Sequence, residues 1–148
     1  AYKARDEANR LASEGNFDQA LAKINEALAI EDEEAAFYAL RGQIREAMDN
    51  PQQAAEDFER ATSLYPEMFS YQLHQGLNAL TLNNLTVAKR SLSRANEVVP
   101  TSIAFLRLGD VAMKQGNREE AARYYATAAE SEGEVAQEAR RKLAELTQ

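Results

Sequence analysis

Side chains that could perform catalysis are sparse in this sequence of 148 residues. His74 is the only histidine and there is no cysteine. This composition argues against an HExxH zinc motif, a thiolate metal site, a thiol nucleophile and a Ser-His-Asp triad. We therefore expect His74 to be a surface or groove residue, and we predict no catalytic residue, no metal ligand and no cofactor.

Three other stretches carry groups that could bind a ligand, and each has a simpler explanation. The acidic run at 31–34 lacks the spacing and the turn glycine of an EF-hand, so we interpret it as a solvated loop. At the basic run 140–142, Glu138 lies four residues before Lys142, and Glu145 lies four residues after Arg141. This spacing favours pairing along one exposed helix face. Tyr125, beside Tyr124, falls in an apolar column described below and is interpreted as a packing residue.

The overall composition excludes several classes of function. The formal net charge is −7, so we expect neither nucleic acid nor an anionic membrane to be a partner. No apolar run approaches the 18 or so residues of a membrane span. A hydrophobic fraction of 45% with 28% charged residues is typical of a folded protein.

The elements that position these side chains follow from an internal repeat. Small or apolar residues recur with steps of 34, 34 and 33 in four columns. The columns are Ala20, Ala54, Ala88 and Ala121; Ala27, Ala61, Ala95 and Ala128; Ala8, Gly42, Gly76 and Gly109; and Ile24, Phe58, Leu92 and Tyr125. Two helices approach closely only where one of them offers Gly or Ala, and the large residue opposite then fills the groove. We therefore expect these columns to be helix contacts.

Each unit has the pattern of two helices joined by a short turn. The turns contain residue pairs that tolerate a left-handed backbone, namely Gly15-Asn16, Asp49-Asn50, Asn83-Asn84 and Gly116-Asn117. The spacing of Asn16 with Gln19, Asn50 with Gln53 and Asn117 with Glu120 predicts capping boxes at the following helices. Pro51 suits a first helical turn, and Pro66 and Pro100 mark the ends of second helices.

The repeat resembles the tetratricopeptide repeat (TPR) family, most clearly in Gly42, Ala54, Phe58, Ala61 and Pro66. The resemblance implies an all-α TPR solenoid of helical hairpins with a right-handed superhelix. We predict one domain, 1–148, with repeats at about 1–34, 35–68, 69–101 and 102–133 and a capping helix at 134–148. The cap follows from the stripe Val135, Ala139, Leu143 and Leu146. Departures are Asp32 in place of the closing proline, and Pro51 and Arg118 in place of the turn aromatic.

The same resemblance implies a concave groove, lined by the first helices, that binds a protein or peptide partner. The groove positions would be Arg5, Asn9, Ala39, Gln43, Glu46, Leu73, Leu77, Leu80, Leu106, Asp110 and Met113. The helix near Phe69–Leu82 is apolar on two faces, so its leucines belong either to the groove or to the core. The carboxylate clamp of chaperone-binding members is broken, because Leu40, Ser70 and His74 occupy clamp positions.

There is also a narrower resemblance, to the C-terminal repeat arrays of bacterial CAAX-prenyl-protease-like HExxH zinc metalloproteases. It is carried by the segments EAAFYALRGQIR and PTSIAFLRLGDVAMKQGNREEAARYY. It implies a periplasmic setting and a catalytic domain upstream of Ala1. The helical pattern starts at once after Ala1 without a capping residue, so we interpret the chain as a segment of a longer protein.

The alternatives to a binding module are therefore a regulatory domain of such an enzyme, and self-association through Ala4, Ala8 and Leu11 of the first helix.

Overall fold

The computed structural model describes residues 1–148, and the chain is all-α, with nine helices and no strand. The helices are α1 Tyr2–Ser13, α2 Phe17–Ile30, α3 Ala35–Ala47, α4 Pro51–Leu64, α5 Phe69–Thr81, α6 Leu85–Val98, α7 Ser102–Lys114, α8 Arg118–Ala128 and α9 Glu134–Leu146. None of them combines the length and apolar character that a membrane span requires. The helices form four hairpins and a final single helix, so the predicted class of helical-hairpin solenoid is confirmed.

The chain divides into two compact units, Ala1–Glu67 and Met68–Gln148. The first unit contains α1–α4 and the second contains α5–α9. The division falls where the second predicted repeat ends, so each unit holds two repeats and the second unit also holds the predicted capping helix.

The repeated small residues are helix contacts, as predicted. A Cβ atom built on Gly42 would lie 2.7 Å from Cε1 of Phe58. A Cβ atom built on Gly76 would lie 2.6 Å from Cγ of Leu92, and one on Gly109 would meet the Tyr125 ring. Because ordinary carbon contacts lie at about 3.5–4.0 Å, a Cβ atom at any of these positions would displace the large side chain that packs against it. In three of the four hairpins, a glycine opposite a large apolar side chain therefore determines how closely the two helices pack.

The four hairpin turns use left-handed residues at the predicted pairs. Gly15 and Gly116 have φ of 82° and 79°, and Asp49 and Asn83 have φ of 58° and 59°. Glycine adopts this conformation without a steric penalty, and Asn and Asp tolerate it better than other residues. Each of these four residues follows the last turn of a first helix and redirects the chain into the second helix.

None of the three predicted capping boxes forms completely, and only Asn117 makes the side-chain cap, without the return bond from Glu120 to the Asn117 backbone N–H. Oδ1 of Asn117 accepts a hydrogen bond from the Glu120 backbone N–H at 3.1 Å, and its Nδ2 donates to Oε2 of Glu120 at 2.9 Å. The predictions for Asn16 and Asn50 were wrong, because neither makes a side-chain cap hydrogen bond. Nδ2 of Asn16 instead points to Oε2 of Glu14, at 3.5 Å.

Asn84 and Thr101 cap α6 and α7 through the Val87 and Ala104 N–H groups.

A buried ion-pair network fastens α3 to α4 in the first unit. The carboxylate of Asp57 is 2% exposed and accepts hydrogen bonds from Arg41 Nη2 at 2.8 Å and from Arg45 Nη1 at 2.9 Å. Nη1 of Arg41 also donates to Oδ1 of Asn25 on α2, at 3.0 Å. The Asp57 carboxylate thus joins α4 to α3, and the Arg41 guanidinium extends the network to α2. The burial of the carboxylate is tolerated because two guanidinium groups pair with it.

The first helix offers little apolar surface for self-association. Ala8 and Leu11 are buried at 0% and 6% exposure in a cluster with Ile24 of α2 and Phe37 of α3. The hypothesis assumed that these side chains need a preceding repeat to cover them. In the structure the helices that follow cover them, and only Ala4 of the three is partly exposed.

Candidate binding surfaces

In the first unit, Asn9 and Gln43 converge on one pocket. The two residues occupy the same position of successive repeats, 34 residues apart, near the ends of α1 and α3. They line a cavity of about 260 Å³ together with Ala12, Ser13, Phe17, Leu40 and Ile44. Both amides are exposed, whereas the Ile44 side chain is 1% exposed and belongs to the core. The pocket therefore combines a polar rim with a mostly apolar floor.

The remaining predicted positions of the first unit contribute less surface. Ala39 is buried at 3% exposure, so a partner could not contact its side chain. Arg5 is partly exposed, but its Nε donates to Oδ1 of Asp6 at 2.8 Å and its guanidinium lies 5.6 Å from the centroid of the Tyr2 ring. Glu46 is half-buried.

In the second unit, the three leucines of α5 are both packing residues and surface residues. Leu73, Leu77 and Leu80 are partly exposed and pack against a buried cluster that includes Leu92 and Leu108. Side chains at this spacing lie along one stripe of a helix, so their exposed edges are adjacent. The two alternatives left open by the sequence are therefore not exclusive, because each leucine contributes one edge to the core and leaves another edge in solvent.

The predicted positions of α7 have three different environments. Leu106 is fully buried in a cluster with Ala139 of α9, so it presents no surface to a partner. Asp110 is engaged in ion pairs within the chain, described next. Met113 is partly exposed and lines a second cavity, of about 310 Å³, between α7, α8 and α9.

Asp110 is the centre of a polar network that holds α9 to α7 and α8. Its Oδ1 accepts hydrogen bonds from Lys142 Nζ and from the Tyr125 hydroxyl, each at 2.7 Å. Its Oδ2 accepts from Arg107 Nη1 at 2.9 Å, and Glu138 pairs with both cations, at 3.1 Å and 3.0 Å. The pairing of Glu138 with Lys142 was predicted from their spacing. The links to α7 were not, since only tertiary packing brings residues 32 positions apart into contact.

The network shifts the titration of its members. Burial raises the pKa of the Asp110 carboxyl, but the hydrogen bonds from Lys142, Tyr125 and Arg107 outweigh burial, so the pKa of Asp110 lies below its ordinary value. A hydrogen bond from Lys142 likewise lowers the pKa of Glu138. Burial and the adjacent Asp110 carboxylate raise the pKa of the Tyr125 hydroxyl, which stays protonated as a donor.

The residues first considered for chemistry do not assemble into a reactive site. His74 is partly buried, and burial lowers the pKa of its imidazole, which favours the neutral form at pH 7. No group of three or more His, Asp or Glu side chains is placed to hold a metal ion. In the acidic run at 31–34, Glu34 accepts a hydrogen bond from the Tyr2 hydroxyl at 2.9 Å.

The structure is that of a helical-repeat protein with candidate binding surfaces on its first helices. Comparisons with known proteins define its class further. Two models of the tetratricopeptide repeat family match the chain, over residues 35–68 and 106–146, and together they span about half of it. The chain therefore contains tetratricopeptide repeats. No curated protein sequence matches it.

Solved structures confirm the fold. A crystal structure of MamA superposes with a TM-score of 0.83 at 18% identity, covering 99% of this chain and 85% of that one. The first TPR of Spaghetti (RPAP3), bound to the HSP90 peptide SRMEEVD, gives 0.74 at 16% identity, with 78% and 92% covered. The Yersinia enterocolitica type III secretion chaperone SycD, in complex with a YopD peptide, gives 0.71 at 15% identity, with 77% and 93% covered. None of these matches is to a metalloprotease, so they lend the narrower resemblance no support.

Proposed function

We propose that this chain is a non-catalytic protein-interaction module that binds an extended segment of a partner polypeptide on the surfaces of its first helices. The observation that carries the proposal is the pocket shared by Asn9 and Gln43, where two predicted groove residues meet above an apolar floor. The structural neighbours Spaghetti (RPAP3) and SycD are both in complex with peptides. This supports a polypeptide as the class of partner.

The chemistry of the first-unit pocket suits a peptide backbone. A side-chain amide offers one acceptor oxygen and two N–H donors, which matches the C=O and N–H groups of a peptide unit. Asn9 and Gln43 would satisfy the backbone of a bound segment, while one aliphatic side chain of that segment occupies the floor near Phe17 and Leu40. Because neither amide carries a charge, binding here should depend little on salt.

The second unit contributes apolar contact rather than amide contact. Leu77 occupies the repeat position that Asn9 and Gln43 occupy in the first unit, with steps of 34. The exposed edges of Leu73, Leu77 and Leu80 form an apolar strip, and we expect it to bind the aliphatic or aromatic side chains of a partner.

The first-unit surface is tested by removing both amides. A random peptide array, probed with the whole chain, supplies binding sequences without requiring knowledge of the natural partner. In the double variant Asn9→Ala, Gln43→Ala, we expect affinity for selected peptides to fall about 5- to 150-fold, since each neutral hydrogen bond contributes about 0.5–1.5 kcal/mol. The matched control removes two exposed amides of the second helix α4, Gln52→Ala with Gln53→Ala. Equal affinity of both variants would refute the role of the pocket.

The second-unit strip is tested by a substitution that the repeat itself suggests. Leu77→Gln places the side chain of the second repeat at the same position of the third, so the helix should tolerate it better than a charge. We expect weaker binding of apolar peptides with a small loss of stability, because Leu77 is only partly buried. Leu77→Glu should weaken binding further. Loss of the fold, without any selective loss of binding, would assign these leucines to the core alone.

The alternative function is a regulatory or substrate-recruiting domain of a bacterial envelope zinc metalloprotease. The only support for it is the narrower resemblance in the sequences of the second and fourth repeats. On this alternative the partner would be the chain's own upstream protease domain and the setting would be periplasmic. Reading the parent gene for an HExxH motif upstream of Ala1 tests it directly, and a parent gene without that motif would exclude it.

A further inference from the structure

The cavity between α7, α8 and α9 differs in chemistry from the pocket of the first unit. It has a volume of about 310 Å³ and is lined by three apolar or aromatic side chains, Met113, Tyr125 and Leu146, and by three charged ones, Arg118, Lys142 and Glu145. Of these six residues, only Met113 was among the predicted groove positions. Two of the three charged groups are cations.

Arg118 replaces an apolar residue of the repeat. It is the first residue of α8, and the corresponding first residues of α2, α4 and α6 are Phe17, Pro51 and Leu85, with steps of 34, 34 and 33. In the first unit Phe17 lines the pocket that also contains Asn9 and Gln43. The fourth repeat therefore carries a guanidinium group at a position where the first repeat carries an aromatic ring.

Of the two cations in this cavity, Lys142 is paired with carboxylates of the chain and Arg118 is not. The Lys142 ammonium is paired with Asp110 at 2.7 Å and with Glu138 at 3.0 Å. Arg118 has no carboxylate within ion-pair distance, and its one hydrogen bond, to the Leu146 carbonyl oxygen, is long at 3.5 Å. Its guanidinium is exposed and retains donors for a planar, bidentate acceptor such as a carboxylate.

We propose that this cavity binds an acidic–aliphatic segment of a polypeptide, with the aliphatic side chain on Met113 and Leu146 and the carboxylate on Arg118. The inference rests on the proposed function in one respect, namely that the ligand is a polypeptide. Glu145 lies in the same lining and opposes a bound carboxylate, so it limits the affinity and provides a second test of the ligand's charge.

The experiment compares two probes of equal size and different charge. Acetyl-Leu-Glu-amide and acetyl-Leu-Gln-amide are titrated separately into the whole ¹⁵N-labelled chain, and backbone amide shifts are followed by NMR. The acidic probe should shift the amides near Met113, Arg118 and Leu146 and should bind about two- to fivefold more tightly than the neutral one, the range expected for an exposed ion pair. High salt should remove this preference.

Three variants separate the ion pair from other causes. Arg118→Gln should abolish the preference for the acidic probe without changing the affinity of the neutral one. Glu145→Gln should tighten binding of the acidic probe about two- to fivefold. The matched control is Arg123→Gln on the same helix, whose side chain is exposed outside the cavity lining, and it should change neither affinity. The NMR spectra show in the same samples that each variant is folded.

The outcomes that overturn the inference differ from those that overturn the proposed function. Equal binding of the two probes, shifts confined to other residues, or tighter binding of acetyl-Leu-Lys-amide would refute an acidic ligand at Arg118. The proposed function instead fails when Asn9→Ala with Gln43→Ala leaves peptide binding unchanged. Asn9 and Gln43 lie in the first unit and Arg118 lies in the second, so each result is independent of the other.

Discussion

The contact between Gly76 and Leu92 allows the packing of the hairpin α5–α6 to be tested by adding one methyl group. A Cβ atom at residue 76 would lie 2.6 Å from Cγ of Leu92 and 3.1 Å from the Leu92 backbone nitrogen. The flexible side chain must therefore move by about 1 Å to reach an ordinary contact distance, and the backbone by a few tenths of an ångström. Such overpacking typically costs about 1–3 kcal/mol.

A second effect of opposite sign makes the prediction sharper. Alanine is more favourable than glycine within a helix by about 0.8–1.0 kcal/mol. We therefore expect Gly76→Ala to lower the free energy of unfolding by up to about 2 kcal/mol in the native background. In a Leu92→Ala background the side-chain clash is absent, so the same change should be neutral or should stabilise by up to about 1 kcal/mol.

The assay is a double-mutant cycle of four proteins, unfolded in urea and followed by circular dichroism at 222 nm. Leu92→Ala alone should lower the free energy of unfolding by about 2–5 kcal/mol. All four proteins are therefore measured in the same stabilising osmolyte, which offsets this loss. The expected interaction energy between positions 76 and 92 is about 1–3 kcal/mol. An equal cost of Gly76→Ala in both backgrounds, or stabilisation of the native protein by it, would refute close packing as the reason for glycine.

Two further predictions concern the polar groups that hold α9 to α7 and that cap α8. Asp110→Asn should lower the free energy of unfolding by about 1–3 kcal/mol at pH 7, because Lys142 and Arg107 lose their common carboxylate. The folded-state pKa of Asp110 lies below 3.8, so its contribution is complete above that pH and is lost as the pH falls through the folded pKa. Urea titrations at pH 7, 4 and 3 should therefore show the difference between native and variant proteins shrinking only below pH 4, whereas a constant difference would contradict the assigned ion pairs. Asn117→Ala should lower the free energy of unfolding by about 1 kcal/mol through loss of the cap on α8. Asn16→Ala removes no cap hydrogen bond and should lower it less than half as much, with both variants compared by thermal unfolding under the same conditions.

The period of the sequence determined the fold. Steps of 34, 34 and 33 in the small and large columns place a glycine opposite a large side chain in three hairpins, and the structure shows these contacts at Gly42, Gly76 and Gly109. The left-handed turn residues and the final helix were also predictable, since glycine, asparagine and an apolar stripe each have a local physical meaning. The family followed from the same columns.

The candidate surfaces depended on which helix covers each side chain, and the repeat pattern does not contain that information. Leu106 and Met113 belong to one predicted surface, yet Leu106 is fully buried beside Ala139 of α9 and Met113 opens into a cavity. Asp110 was predicted to face a partner and instead pairs with Lys142, 32 residues away. Periodicity fixes the face of a helix on which a residue lies, because it reports backbone geometry alone. Only the tertiary structure decides whether solvent, another helix or an opposite charge meets that face.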